Sequence, residues 1–365
     1  MPPSSRTSRP LSAAALLGAS ALVLTGCGAA PEEGGQAQEQ ATDFTGCIVS
    51  DEGGFEDRSF NQSSYEGLQA AAESTGLEVR KAQSQARTDY GPNLKSMIQQ
   101  GCDLTVAVGF ALADDTKAAA EANPDAHFAI VDDNSIDLPN VKPLVYNTAE
   151  AAFLAGYVAA GTTETGKVAT YGGQKFPTVT VFMDGFADGV AHYNEAKGKD
   201  VQLLGWDKQA QDGTFVNSFT DTSAAKTTTQ NFINEGADVV LPVAGQAALG
   251  TLDAVNAANA GGKEVRFVWV DADGYETLDQ GRQYQLTSVL KEMEQSVQDV
   301  VESAAGGEFS AEPYVGTLGN GGVGIAPYHD QEQAVGEELA AEVEQLKQDI
   351  VDGTVSVESE SSPRA

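Results

Sequence analysis

Histidine is scarce in this chain, at three residues in 365, and one of the three, His127, stands just before an apolar run, a structural place. The other two, His192 and His329, belong to no recognisable catalytic pattern. The sequence contains no Gly-Xaa-Ser-Xaa-Gly elbow, no His-Glu-Xaa-Xaa-His and no Cys-Xaa-Xaa-Cys. Its glycine-rich stretches lack the lysine–serine or lysine–threonine pair of a phosphate-binding loop. These absences argue against hydrolase, zinc-peptidase, dithiol and nucleotide-phosphate chemistry, so no enzyme, metal or cofactor is expected. Basic residues are also few. Lysine and arginine number 21 against 53 acidic residues, for a net charge of −32 that is spread along the chain rather than gathered in a tail. Such a charge excludes nucleic acid and anionic lipid surfaces as partners and suits a domain that is soluble outside the cell. Beyond the amino-terminal segment no run is long and apolar enough to cross a membrane.

That amino-terminal segment is a targeting signal. Arg6 and Arg9 give a positively charged start, and Leu11 to Leu24 supply an apolar stretch too short for a permanent span. It ends Leu24-Thr25-Gly26-Cys27, which resembles a lipobox. Residues 1–26 are then a signal peptide cut before Cys27, whose thiol carries a diacylglycerol. The alternative is an ordinary secretory signal with an incidental cysteine, and the small residues between Leu24 and Cys27 favour lipidation. Residues 27–43 are rich in Gly, Ala, Gln and Glu and read as a flexible tether. Anchor and tether together hold a soluble domain at the outer face of a cytoplasmic membrane without inserting it. The two other cysteines, Cys47 and Cys102, each open an apolar strand-like run. In an oxidising compartment they form either a structural disulfide or two buried thiols.

About 320 residues remain, enough for two domains. Short β-branched runs alternate with longer helical ones. The strand-like runs include Cys47–Ser50, Leu104–Val108, His127–Val131, Val168–Tyr171, Val239–Leu241, Val265–Val270 and Gln285–Leu290. Helical patterns cover Ser59–Ser74, Pro92–Gln100, Ala149–Ala160, Thr222–Asn234, Ala247–Asn259 and Glu292–Ala305. Near-continuous apolar strands alternating with helices predict α/β lobes, each a doubly wound parallel sheet covered on both faces. One set of units runs to about Asn147 and a second starts at about Lys167, the layout of a periplasmic-binding-protein fold.

In open parallel sheets ligands bind beyond the carboxyl ends of the strands. Those ends read Asp51, Gly109-Phe110 and Asp132-Asp133 in the first half. In the second half they read Val243-Ala244-Gly245-Gln246, Asp271-Ala272-Asp273 and Lys291. A single aspartate there is as readily a cap on the next helix. Acidic residues at three ends, from both halves, converge on one cleft. They call for a ligand rich in hydroxyl and ring N–H donors and repel phosphate or carboxylate.

The segment Asp51-Glu-Gly-Gly-Phe-Glu-Asp57-Arg-Ser59-Phe60-Asn61-Gln62-Ser63 is similar to the opening signature of the basic membrane proteins, binding proteins related to a spirochaetal purine nucleoside receptor. Gly101-Cys102-Asp103, Asn123-Pro124-Asp125, Phe153-Leu154-Ala155-Gly156, Gly185-Phe186-Ala187-Asp188-Gly189 and Ser288-Val289-Leu290-Lys291 continue the likeness in order, from about Thr45 onward. The resemblance implies a type I periplasmic-binding fold holding a nucleoside, purine preferred, between two lobes joined by crossover hinges. It implies that Phe60 stacks on the base, that Asp51 and one of Asp132 and Asp133 hydrogen-bond it, and that Asp271 and Lys291 hold the ribose hydroxyls. Asp57, Asn61, Phe110, Gly245, Gln246 and Asp273 complete the candidate set. Many relatives carry a phenylalanine before an Ala-Gly-Gly-Thr-Gly turn where this chain reads Leu241-Pro242-Val243-Ala244-Gly245-Gln246, so the second face of the base is open or is covered by Phe186, Phe215 or Trp206.

The resemblance also implies partners, an ABC permease with its ATPase subunits, and a monomeric protein. It divides the chain into lobe 1 at 44–148 plus about 285–310, lobe 2 at 149–284 plus about 311–335, and a helix and tail at 336–365. A sugar or small-signal binder of the same fold and a surface adhesin are the rival readings.

Overall fold

A computed structural model describes residues 43–363; the signal segment, Cys27 and the tether to residue 42 lie outside the described residues. The chain opens with β1 (Thr45–Val49), α1 (Phe60–Thr75), β2 (Glu78–Ala82), α2 (Tyr90–Gln99) and β3 (Leu104–Val108). It continues through α3 (Ala113–Ala122), β4 (His127–Val131) and β5 (Val141–Tyr146). Every residue of β1 and β3 is buried, which is why these runs are apolar throughout instead of alternating. All pairings among the five strands are parallel. Cys47, within β1, is disulfide-bonded to Cys102, which lies just before the neighbouring β3, with their Cα atoms 5.9 Å apart.

The second set comprises α4 (Thr148–Thr162), β6 (Lys167–Gly172), α5 (Pro177–Lys197) and β7 (Gln202–Leu204). A small hairpin of β8 (Trp206–Asp207) and β9 (Asp212–Gly213) follows, then α6 (Thr222–Glu235), β10 (Val239–Val243), α7 (Leu249–Ala260) and β11 (Arg266–Asp271). The short α8 (Gly274–Thr277) leads to β12 (Gln285–Lys291), α9 (Met293–Ala305), β13 (Tyr314–Gly316), β14 (Val323–Ile325) and α10 (Glu332–Val351). The two sheets have matching orders, β13-β5-β4-β3-β1-β2 and β14-β12-β11-β10-β6-β7. Strand by strand, β1, β3, β4 and β5 correspond to β6, β10, β11 and β12, so the lobes repeat one plan.

The chain crosses between lobes later than its pattern indicates. The run from Gln285 was expected in the first lobe, yet β12 pairs with β11 in the second sheet. A strand buried on both faces carries no mark of which sheet it joins. The crossing falls after Lys291, and α9 then lies against α1. Likewise β13 extends the first sheet beside β5, and only β14, antiparallel to β12, returns to the second. The carboxyl-terminal helix starts at Glu332 and bends at Gly336, which has φ of 73°. It rests on α4. The three crossings adjoin one another: Asn147 N–H donates to Gly316 O (2.8 Å) and Glu292 N–H to Gly322 O (3.0 Å). No helix among the described residues is long and apolar enough to cross a membrane.

Two of the longer helices escape the sequence pattern. α3 is alanine-rich with no large apolar stripe, and α5 contains Asp184-Gly185-Phe186-Ala187-Asp188-Gly189, which reads as a loop. Those glycines are packing devices. α4 and α5 touch backbone to backbone, so a Cβ on Gly189 would stand 2.0 Å from Phe153 O and one on Gly156 2.2 Å from Phe186 O. Nothing larger than hydrogen fits, and helix propensity is outweighed by close contact. Gly189→Ala is therefore expected to lower stability by about 1–3 kcal/mol or more through forced separation of α4 and α5. Urea denaturation measures this, and an unchanged midpoint would refute the tight contact.

Candidate ligand-binding cleft

The carboxyl ends of both sheets face each other across a cleft of about 120 Å³. On the first lobe the loop after β1 carries Asp51 and Asp57. The first N–H groups of α1 have no helical partners, and Asp57 answers them. Its oxygens accept from Ser59 N (3.1 Å), Gln62 N (3.1 Å), Asn61 N (2.8 Å) and Asn61 Nδ2 (2.9 Å). Asp57 lines the cleft, but its four donors make it the anchor of α1 instead of the free acceptor expected of it. Asn61 is spent in the same way, tying Asp57 to Asp51: its Nδ2 donates to Asp51 Oδ1 (2.7 Å) and its Oδ1 accepts from Asp51 N (3.1 Å).

This bracing leaves Asp51 Oδ2 beside Phe60, the first residue of α1. Between them lies Gly109, with φ of 109°, where a Cβ would come within 3.3 Å of Asp51 Oδ2 and 3.4 Å of Phe60 Cε1. A side chain there would be strained and would crowd both groups. Burial pushes the Asp51 carboxyl up to about 6, against the lowering pull of the Gly53 amide and the Asn61 side chain. The carboxyl thus changes charge near neutral pH.

Lys291, the last residue of β12, is buried between two acids from different lobes, with its Nζ 5.2 Å from the centroid of the Phe60 ring. Its Nζ lies 2.6 Å from Asp132 Oδ2 and 3.7 Å from Asp271 Oδ1. Burial works to discharge the ammonium, but the two carboxylates outweigh it and hold its pKa above the ordinary lysine value. Asp132 directly follows β4 and Asp271 ends the equivalent β11, and both have left-handed backbones, with φ of 65° and 71°. Strain of this kind persists where the surroundings over-determine it, and it gathers at functional sites. Ser59 Oγ, from the first lobe, donates to Asp271 Oδ2 (2.7 Å).

The lobes meet at the rim as well. Arg58, with φ of 61°, offers its carbonyl to Trp269 Nε1 (3.2 Å) and Thr277 Oγ1 (2.9 Å), and its guanidinium pairs with Asp279 (2.7 Å). Phe110 and Phe176 approach across the cleft with ring centroids 4.5 Å apart. Of the residues anticipated at strand ends, Phe110, Gly245 and Gln246 also line the cleft. Two do not. Asp273 caps α8 through Tyr275 N (3.0 Å) and also accepts from Gln285 Nε2 (3.0 Å), while His329 Nε2 sits 2.8 Å from its other oxygen. Asp133 turns away from Asp132 to accept from Ser135 N (2.9 Å) and Ser135 Oγ (2.7 Å).

The expected second aromatic is also elsewhere. Phe186 is fully buried in α5, and Phe215 packs edge-on against Trp206, whose Nε1 donates to Asp184 (2.9 Å). The second lobe instead presents Phe176, Phe182 and Phe219 to the cleft. Phe176 immediately precedes the Pro177 that starts α5, a helix-entry signal that could have located it. Arg87 and Tyr90 line the cleft too and carried no signal in the sequence. Five lining carboxylates against two cations keep the cleft unfavourable to anions. Flat aromatic walls beside a carboxylate and an acid–lysine–acid cluster suit a planar donor-bearing ring joined to a polyhydroxyl group.

Two repeated α/β lobes with three adjoining crossings and a cleft between them define a type I periplasmic solute-binding fold. An ABC transporter system solute-binding protein from Aeropyrum pernix K1 superposes with a TM-score of 0.77 at 25% identity, over 86% of this chain and 92% of that one. The chain belongs to the Bmp family of PnrA-like ABC transporter substrate-binding proteins, whose model matches residues 44–361. It is 33% identical over 365 residues to the ABC transporter nucleoside-binding protein BmpA of Lactococcus lactis, covering 96% of this chain and 99% of that protein. A CD4+ T-cell-stimulating antigen of Listeria innocua is 31% identical, with 93% and 95% covered.

Removing the buried cation exposes the cost of its partners. Lys291→Met is expected to destabilise the protein by about 3–5 kcal/mol at pH 8, because two buried carboxylates lose their counter-ion. Relative to the parent, the loss should shrink as pH falls, since the folded variant then binds protons more readily than the unfolded chain. A pH-independent difference between variant and parent unfolding curves would show that the cluster is not a coupled one.

Proposed function

We propose that the protein captures a nucleoside, purine preferred, between its lobes and delivers it to an ABC permease and its ATPase. In this reading Cys27 carries a lipid that anchors a monomer at the outer face of the cytoplasmic membrane. The observation that carries the reading is the set of groups gathered about the Phe60 ring. Asp51 Oδ2 and the Phe60 ring flank Gly109, and Lys291, paired with Asp132 and Asp271, stands 5.2 Å from the centroid of the same ring. A base between Phe60 and the phenylalanines of lobe 2 gains about 1–3 kcal/mol of stacking. Asp51 accepts a ring or exocyclic N–H. The vicinal ribose hydroxyls donate to Asp271 and accept from Lys291, using lone pairs and protons that the cluster leaves over. The nucleoside-binding relative in Lactococcus supports the same assignment. Lobe closure about the three crossings then holds the ligand.

Calorimetry of ligand-stripped protein should give micromolar or tighter binding for adenosine, guanosine or inosine and none for ribose or galactose. Sugar binding without nucleoside binding would overturn the assignment. In the same assay Phe60→Ala should weaken nucleoside binding about ten- to a hundred-fold, and unchanged affinity would remove Phe60 from the site.

The Asp51 carboxyl, with its pKa of about 6, makes a separate expectation. The ionised form is the stronger N–H acceptor, so nucleoside affinity should be full from about pH 7 upward. It should fall below that pH, approaching tenfold per unit. Asp51→Asn should bind more weakly with a flat profile; an equally steep profile in that variant would assign the titration to another group.

A further inference from the structure

Behind the Lys291–Asp132 ion pair a second chamber, of about 380 Å³, opens between the lobes. Phe110, Asp132, Thr178 and Lys291 line both this chamber and the cleft, so the two adjoin at the groups assigned above to the sugar. The roof is the carboxyl-terminal tail, residues 360–363. The tail is fastened rather than draped. Ser359 Oγ donates to the fully buried Asp184 (2.5 Å), Ser361 Oγ meets Thr180 Oγ1 (2.7 Å), and Ser362 Oγ donates to Asn147 Oδ1 (2.8 Å).

One wall residue is left unfinished. Thr148, the first residue of α4, borders the chamber and is fully buried, and its hydroxyl has no hydrogen-bond partner among the described residues. A buried hydroxyl without a partner costs free energy that a ligand group can recover. Asp132, Asp133 and Glu360 also border the space, against Lys291 as the one cation among the described lining residues. Carboxylates and hydroxyls accept from O–H and N–H donors and repel phosphate.

We propose that this chamber is a second subsite, accepting an uncharged, hydroxyl-bearing extension carried on the sugar of the bound nucleoside. The proposal rests on the nucleoside reading of the cleft. With the base held at Asp51 and the vicinal hydroxyls at Asp271 and Lys291, the 5′ oxygen is the position left free to carry the extension. The protein is then a receptor for nucleosides glycosylated at the 5′ position as well as for simple ones, and not for nucleotides.

Calorimetry of the full chain with adenosine, guanosine, their 5′-O-ribosyl derivatives and adenosine 5′-monophosphate tests this. The ribosyl compounds should bind within tenfold of their parents or more tightly, and the monophosphate at least a hundredfold more weakly than adenosine. Thr148→Val, which keeps the shape and removes the hydroxyl, should leave the simple nucleosides unchanged. It should weaken the ribosyl compounds about three- to tenfold, the worth of one hydrogen bond. Simple nucleosides that bind while their ribosyl derivatives bind more than tenfold worse would overturn the subsite and spare the nucleoside reading. Equal effects of Thr148→Val on both classes would likewise overturn it. Silence of adenosine and guanosine would overturn the nucleoside reading, and the subsite with it.

Discussion

The ammonium of Lys291 is the one group that both lobes require. It lies buried at the end of β12, held by the carboxylate that follows β4 and the one that ends β11. Either carboxylate alone would be costly in that setting, and so would the lysine. Together they form a cluster whose members come from different lobes, so the closed arrangement is coupled to charge neutralisation at the cleft. The left-handed backbones of Asp132 and Asp271 fit this account. Each is a conformation that an L-residue adopts at a cost, and each places a carboxylate at or just past the end of an equivalent strand, against one cation.

The first lobe is braced toward the same end by a chain of polar contacts. Asp57 satisfies the start of α1, Asn61 links Asp57 to Asp51, and Asp51 is left with one oxygen facing the cleft. Gly109 then permits the carboxylate and the Phe60 ring to stand side by side. The second lobe is braced by bulk instead. α4 and α5 meet through Gly156, Gly185 and Gly189, and the amino end of α5 delivers Phe176 and Phe182 to the cleft. One wall is thus set by hydrogen bonds and the other by packing.

Much of this was legible in the sequence because strand ends in parallel sheets lead to the ligand site. Asp51, Asp132, Asp271 and Lys291 were found by that rule, and all four line the cleft. The rule does not separate neighbours, so it groups Asp133 and Asp273 with Asp132 and Asp271, although their carboxylates serve a turn and a helix cap. Lobe membership of β12 could not be read, because a strand buried on both faces looks alike in either sheet. The aromatics of lobe 2 were misassigned for a different reason. Phe176 and Phe182 depend on α5, whose glycines mask its helical pattern, and Phe219 lies in an irregular stretch with no period to follow.

The three crossings run side by side and are hydrogen-bonded to one another, Asn147 to Gly316 and Glu292 to Gly322. Independent linkers would let two bodies tilt, twist and slide. Adjoining ones behave like the leaves of a door hinge, which resist shear and leave a single axis of rotation. An opened form of this protein therefore differs from the closed one chiefly by one angle. Any surface that spans both lobes changes with that angle alone, and a partner touching both sides can read occupancy of the cleft from a single coordinate.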